Sequence, residues 1–233
     1  MIETRTIDPC LSFISSQLQS ADDTRVLAEN KVCRAVTISR QTGCGAFVVA
    51  EKLARYLQEH SKSGAPWTVF DRNLIDKVLE DHNLPAYLAR FLPEDRMSQI
   101  EDFLSEIFSV HPPVRTIVMQ VAETMLQLAS VGHAILIGRG GNVVTARLPD
   151  VVHVRLVAPL EKRIEHAHEH YGMTRAEAHK FCTTEDIGRA RYLKQHFNAD
   201  INDPLIYHMI INTGHVGFDA AARLIGNAVL NAN

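Results

Sequence analysis

The sequence predicts a three-layer α/β/α fold built on a five-stranded parallel sheet, and three observations carry that prediction. Short apolar or β-branched runs recur at 35–39, 67–70, 133–137, 151–157 and 205–211, separated by stretches of helical periodicity. Strands that alternate with helices are joined by crossovers and therefore pair in parallel. The run Val151-Val152-His153-Val154-Arg155-Leu156-Val157 is almost continuously apolar, as expected of a strand covered on both faces in the middle of such a sheet. Four of the five runs end in a polar or glycine turn: Ser39-Arg40-Gln41, Asp71-Arg72, Gly138-Arg139 and Asn212-Thr213. Open parallel sheets bind ligands at the carboxyl ends of their strands.

Each element follows from local signals. Residues 1–31 read as a helical appendage, with Asp8-Pro9 as a helix start and Leu11, Phe13, Ile14 and Leu18 at helical spacing. Its apolar stripe suits packing on its own domain or, alternatively, a homodimer contact. The main domain spans 32–233. After the first strand, Phe47, Ala50, Leu53, Ala54 and Leu57 form one face of a helix over 45–60. A helix over 73–80 follows the second strand. Residues 83–131 read as a helical insertion broken at Pro85, Pro93 and Pro112-Pro113, with helices at 97–108 and 114–131. A short helix is expected at 142–147, and a longer one starts at Pro159 and runs to Tyr171. Thr174-Arg175-Ala176-Glu177 reads as a capping box that opens a charged helix to about His196, within a lid segment over 174–200. Residues 217–231 form the last helix.

Composition narrows the function classes. The 233 residues carry a net charge of −3, with 22% charged and 46% hydrophobic residues, an ordinary globular balance. There is no basic excess of the kind that nucleic-acid polymers or anionic membranes attract. Cys10, Cys33, Cys44 and Cys182 show no C-x-x-C spacing, so neither a disulfide framework nor a zinc knuckle is expected. No signal-peptide pattern is visible, and no apolar run approaches the roughly 20 residues of a membrane span. A cytoplasmic protein is the expectation.

Chemistry concentrates in two features. The first is Ser39-Arg40-Gln41-Thr42-Gly43-Cys44-Gly45-Ala46-Phe47, where a strand turns through two glycines into a helix. That layout aims backbone N–H groups and a helix N-terminus at an anion, so it reads as a phosphate-binding loop. Against the pattern G-x-x-x-x-G-K-[ST], Arg40 stands at the first glycine, Ala46 at the lysine and Phe47 at the hydroxyl. A plain strand-to-helix turn is the alternative for the loop, and a small residue in a tight bend is the alternative to an activated thiol at Cys44. The second feature is arginine. Arg40, Arg72 and Arg139 follow three strands, Arg189 and Arg191 lie on the charged helix, and Arg163 lies one turn into the helix before it. Guanidinium groups match phosphate oxygens in pairs and stay charged. A solvated helix face is the alternative for Arg189 and Arg191. Of His166, His168 and His170, only His166 and His170 share a helix face, so an exposed polar face is expected there and not a metal site.

With these residues in view, the chain resembles the cytidylate kinase-like branch of the P-loop nucleoside monophosphate kinases, over about residues 35–231. The carriers are Thr37-Ile38-Ser39-Arg40-Gln41-x-Gly43-x-Gly45, Phe70-Asp71-Arg72-Asn73-Leu74-Ile75, Ile135-Leu136-Ile137-Gly138-Arg139-Gly140-Gly141, Pro159-Leu160-Glu161-Lys162-Arg163-Ile164, and Asp186 to Arg191 with Asn202-Asp203-Pro204 and the last strand. The resemblance implies a P-loop NTPase fold with a helical acceptor-binding insertion and a lid. It implies transfer of the γ-phosphoryl group of ATP, with Mg²⁺, to a nucleoside monophosphate. Ser39 to Phe47 would hold the donor phosphates. Asp71, Arg72, Arg139, Gly140 and Asn142 would meet the acceptor. Arg40, Arg139, Arg189 and Arg191 would serve catalysis. The sequence departs from true cytidylate kinases at Ala46 and Phe47, at Ile137 where a magnesium-holding acid is usual, and at Gly140 where an acid helps read cytosine. Arg40 would then supply the missing positive charge and Asp71 the metal ligand. Two other readings stay open: a non-catalytic nucleotide sensor, and a kinase for another small acceptor.

Overall fold

The computed structural model describes residues 35–61, 65–71 and 115–231. The sheet holds five parallel strands in the order β2-β3-β1-β4-β5. They are β1 (Ala35–Arg40), β2 (Thr68–Phe70), β3 (Ala134–Ile137), β4 (Val151–Val157) and β5 (Met209–Asn212). The helices are α1 (Ala46–His60), α2 (Arg115–Val131), the single turn α3 (Gly141–Val144), α4 (Leu160–Tyr171), α5 (Arg175–Phe197) and α6 (Phe218–Leu230). Expectations for 1–31, for the helices at 73–80 and 97–108, and for Arg72 fall outside the described residues. Among the described residues no helix is long and apolar enough to cross a membrane.

Strand alternation divides the layers. Val36 and Ile38 of β1, Ile135 and Ile137 of β3, and Val152, Val154 and Leu156 of β4 face one core. Val49, Ala50, Leu53 and Leu57 of α1 and Ala221, Ala222, Ile225 and Val229 of α6 close it. Each buried Val, Leu or Ile among them contributes about 1.5–3 kcal/mol by leaving water. Gly226 lets α1 and α6 touch, because a Cβ there would stand 2.3 Å from the Tyr56 ring. On the opposite face α2 and α3 cover β1 and β3, and a Cβ on Gly141 would meet Met125 and Thr37. Helices α4 and α5 pack on each other, with Ile164, Ala167, Ala178 and Cys182 between them. The capping box at Thr174 forms as the sequence predicts.

The fifth strand is shorter than its apolar run suggests. Pro204–Ile206 is a 3-10 turn, and β5 starts only at Met209. Pro204 has no N–H to give a ladder, and the Asp203 carboxylate caps the Leu205 N–H at 2.9 Å, which fixes a turn. The short helix after β3 is likewise confined to Gly141–Val144.

The face of β1 and β4 turned away from α1 is polar. Thr37 Oγ1 and His153 Nδ1 are 2.8 Å apart, and the His153 ring stacks on His208 at 4.8 Å. Burial, and then the neighbouring His208 charge, push the His153 imidazole down from 6.5 to about 4. Between those values the unfolded chain binds a proton that the folded chain refuses. Stability should therefore be full above pH 6.5 and fall as the pH drops toward 4, by about 3 kcal/mol for this residue. Urea midpoints measured from pH 7 to pH 4.5 check this, and His153→Gln should flatten the profile.

Candidate functional site

The carboxyl ends of β1, β3 and β4 open into three adjoining cavities, and Arg40, the last residue of β1, lines all three. The loop after β1 is stitched to β4. The Gln41 N–H donates to Leu156 O at 3.0 Å, and the Ala158 N–H donates to Gln41 Oε1 at 3.0 Å. After β5, Thr213 Oγ1 donates to Cys44 O at 2.9 Å. Gly43 and Gly45 take left-handed φ values of 81° and 75°. A Cβ at Gly43 would lie 2.5 Å from Arg163 O, and one at Gly45 would lie 2.3 Å from the Phe218 ring. Both glycines are thus fixed by conformation and by neighbours. Helix α1 starts at Ala46 with no side-chain cap and no acid in its first turn. Its opening N–H groups face the edge of a cavity of about 430 Å³ lined by residues 40–48, a geometry that suits an anion.

Three of the four arginines expected to act together do meet. Arg40 and Arg189 line all three cavities, and Arg139 lines the one of about 330 Å³ with Ser39, Gly140 and Asn142. The Arg40 guanidinium lies where any side chain at position 138 would stand, 1.8 Å from the Cβ that Gly138 lacks. Burial first, and the charge of Arg189 second, bring Arg40 down from 12.5 to about 10, so it stays protonated at neutral pH. Arg139 itself has a left-handed φ of 55° between Gly138 and Gly140, a conformation costing on the order of 1 kcal/mol that is typical of functional turns. Arg191 is exposed and lines none of the three cavities. Two residues along a helix turn about 200°, so Arg189 and Arg191 cannot share a face. Asp71 lines the loop cavity beside Arg40, Thr42, Ala46 and Phe47.

The sequence reading assigned no role to the group that ties the site together. The Asp186 carboxylate of α5 accepts from the Thr42 N–H at 2.7 Å and from Thr42 Oγ1 at 2.9 Å. It also accepts from Arg163 Nη1 at 2.7 Å and from Arg189 Nη1 at 3.3 Å. Arg163, buried on α4, donates further to Thr42 O at 3.1 Å and to Ala158 O at 2.9 Å. Arg189 Nη1 also donates to Thr42 Oγ1, and its Nη2 to Glu185 at 3.3 Å. The i, i+3 spacing of Asp186 and Arg189 is readable in the sequence; their meeting with Thr42 is not. Arg155, a second residue missed, is buried on β4 and donates to Ser39 Oγ at 3.0 Å.

The expected exposed polar face holds at His168 and His170, while His166 is half-buried. His166 and His170 stack at 5.2 Å, His166 meets the Phe218 ring edge-on, and both line the loop cavity with Tyr171 and Phe181. They form part of an aromatic wall, because α4 lays this face along the cavity. Among the described residues no cluster of three or more metal-ligating side chains forms. Cys44 is buried and its thiol donates toward Leu156 O at 3.7 Å. Burial pushes it up to about 12 despite Arg40 and Arg163 nearby, so it is a packed thiol and not a nucleophile.

A parallel sheet of this strand order, with a glycine loop between its central strand and a helix, is consistent with the phosphate-loop-like class of α/β folds. Within that class the chain belongs to the cytidylate kinase-like family, whose model matches residues 35–215. A cytidylate kinase from Thermococcus kodakarensis is 26% identical over 170 residues, which cover 72% of this chain and 83% of that enzyme. A uronate isomerase from Corynebacterium glutamicum is 26% identical over 91 residues, 39% of this chain and 18% of the isomerase's own length. Among solved structures, an uncharacterised protein from Eubacterium ventriosum superposes with a TM-score of 0.65 at 18% identity, covering 84% of this chain and 98% of that one, and shares the fold.

Two outcomes follow from the site's geometry. Asp186→Asn keeps the shape but removes the charge shared by Arg163 and Arg189, so it should lower stability by about 2 kcal/mol in urea denaturation. Native protein treated with iodoacetamide at pH 8 should leave Cys44 unlabelled by peptide mass spectrometry, and label it after unfolding.

Proposed function

We propose that the chain is an ATP-dependent phosphotransferase that moves the γ-phosphoryl group to a nucleoside monophosphate. The observation that carries this reading is the convergence of Arg40, Arg139 and Arg189 on the cavities beside the glycine loop. The loop from Ser39 to Phe47 holds the donor phosphates through backbone N–H groups and the start of α1. Arg40 stands in for the lysine absent at Ala46. The acceptor phosphate enters the cavity of Arg139, Gly140 and Asn142. Its oxygen attacks the γ-phosphorus while the bond to the β–γ bridging oxygen breaks, and ADP leaves. Charge on the transferring group spreads over its outer oxygens, and Arg40 and Arg189 stand where they neutralise it. Helix α5 covers the cavity and excludes water.

Mg²⁺ is usually held by one or two carboxylates together with the substrate's phosphates and waters. Asp71, beside Arg40 in the loop cavity, fits the role of that single carboxylate. The metal would neutralise phosphate charge there.

One observation favours a second reading, a nucleotide sensor without turnover. Ile137 is apolar and buried at the end of β3, and neither Ala46 nor Phe47 offers a cation or hydroxyl. Purified protein given Mg-ATP and a panel of nucleoside monophosphates separates the two. Steady ADP formation with at least one acceptor is expected, and Arg40→Met should slow it by about 10³-fold or more. Lys52→Met, which alters an exposed pair with Asp219, should leave the rate unchanged. ATP binding with no turnover on any acceptor would sink the enzyme reading.

A further inference from the structure

Arg155 carries a charge that no described carboxylate balances. It lies on the covered strand β4 and is 5% exposed. Its guanidinium donates to Ser39 Oγ at 3.0 Å and to Asn202 Oδ1 at 3.2 Å, and it lies 5.6 Å from the centre of the Tyr207 ring. All three partners are neutral, and among the described residues no ion pair includes Arg155. A guanidinium keeps its charge at every ordinary pH, and burying one without a counter-charge costs several kcal/mol. The same group opens on a cavity of about 210 Å³ that Arg40, Arg189 and Asn202 also line. Gly43 and Gly45 do not line this cavity, whereas Arg40 and Gln41 at the start of the loop do, so it adjoins the loop on the β4 side. Asp186 is the one carboxylate on its wall, and that charge is already held by Arg163 at 2.7 Å. Glu185 pairs with Arg189 from outside this wall, so the charges of Arg40 and Arg155 leave the cavity a positive excess.

We propose that Arg155, Arg40 and Asn202 form a second oxyanion subsite, on the β4 side of the glycine loop and sharing Arg40 with it, that takes a phosphate-type group. The subsite does not depend on phosphoryl transfer, since a binding protein on this fold would carry it equally. Its ligand is either free orthophosphate or a phosphate on an organic carrier. The test is calorimetric titration of the full chain with orthophosphate in one arm and a nucleoside monophosphate in the other. The deciding variant is Asn202→Asp. Asn202 is exposed, so the change spares the fold, and its new carboxylate occupies the Arg155 guanidinium. Affinity for at least one probe should fall about tenfold or more in Asn202→Asp and in Arg155→Met, with Arg155→Lys retaining part of it. The probe that responds identifies the ligand's source. A purely structural Arg155 predicts lower stability in Arg155→Met but no change of affinity in Asn202→Asp. Equal affinity of wild type and Asn202→Asp for both probes, or no binding of either by wild type, overturns the subsite. ATP affinity, titrated in parallel, reads the glycine loop independently: its absence in wild type would count against the proposed function and not against this subsite.

Discussion

One carboxylate organises the ligand edge of this molecule. Asp186 joins the glycine loop through Thr42, helix α4 through Arg163 and its own helix through Arg189. The loop carries two left-handed glycines and would otherwise have few side chains to hold it. Charge-assisted hydrogen bonds are shorter and stronger than neutral ones, and three elements share this set. The position of α5 over the cavities follows from the same contact. If α5 shifts, the Thr42 N–H and the Arg163 guanidinium lose their acceptor together, which couples α5 to the loop.

The same edge is built at an electrostatic cost. Burial first and repulsion from Arg189 second depress Arg40, and Arg155 adds a third charge nearby. Stability alone would favour fewer arginines or more acids here. A fold that tolerates such an excess beside an uncapped helix start is arranged for anions. The chain's net charge of −3 hides this completely, because the positive field is local.

The strand runs, the helix stripes and the glycine loop were legible because period and composition are local properties. Four of the five strands, β1 to β4, have boundaries within a residue of those the sequence predicts. The fifth strand was overextended because an apolar run does not reveal that Pro204 and the Asp203 cap impose a turn. Arg40, Arg139 and Arg189 were found through their places after strands and on the charged helix. Arg191 was grouped with Arg189 by proximity in sequence, although helical period already separates them. His168 and His170 are exposed as the helix pattern predicts, while His166 is half-buried against Phe218, a contact that nothing local encodes.

By itself, the sequence determined the alternation of strands and helices, the glycines at the loop and the supply of arginines. These depend on neighbours a few residues apart. Only the tertiary structure decided what meets what. Thr42 and Asp186 are separated by 144 positions, and Ser39 and Arg155 by 116. Such contacts are set by strand order, register and the packing of α4 and α5, and no local pattern encodes them. The arginines were visible as residue types, while the convergence of Arg40, Arg139, Arg155 and Arg189 on adjoining cavities arises from the fold.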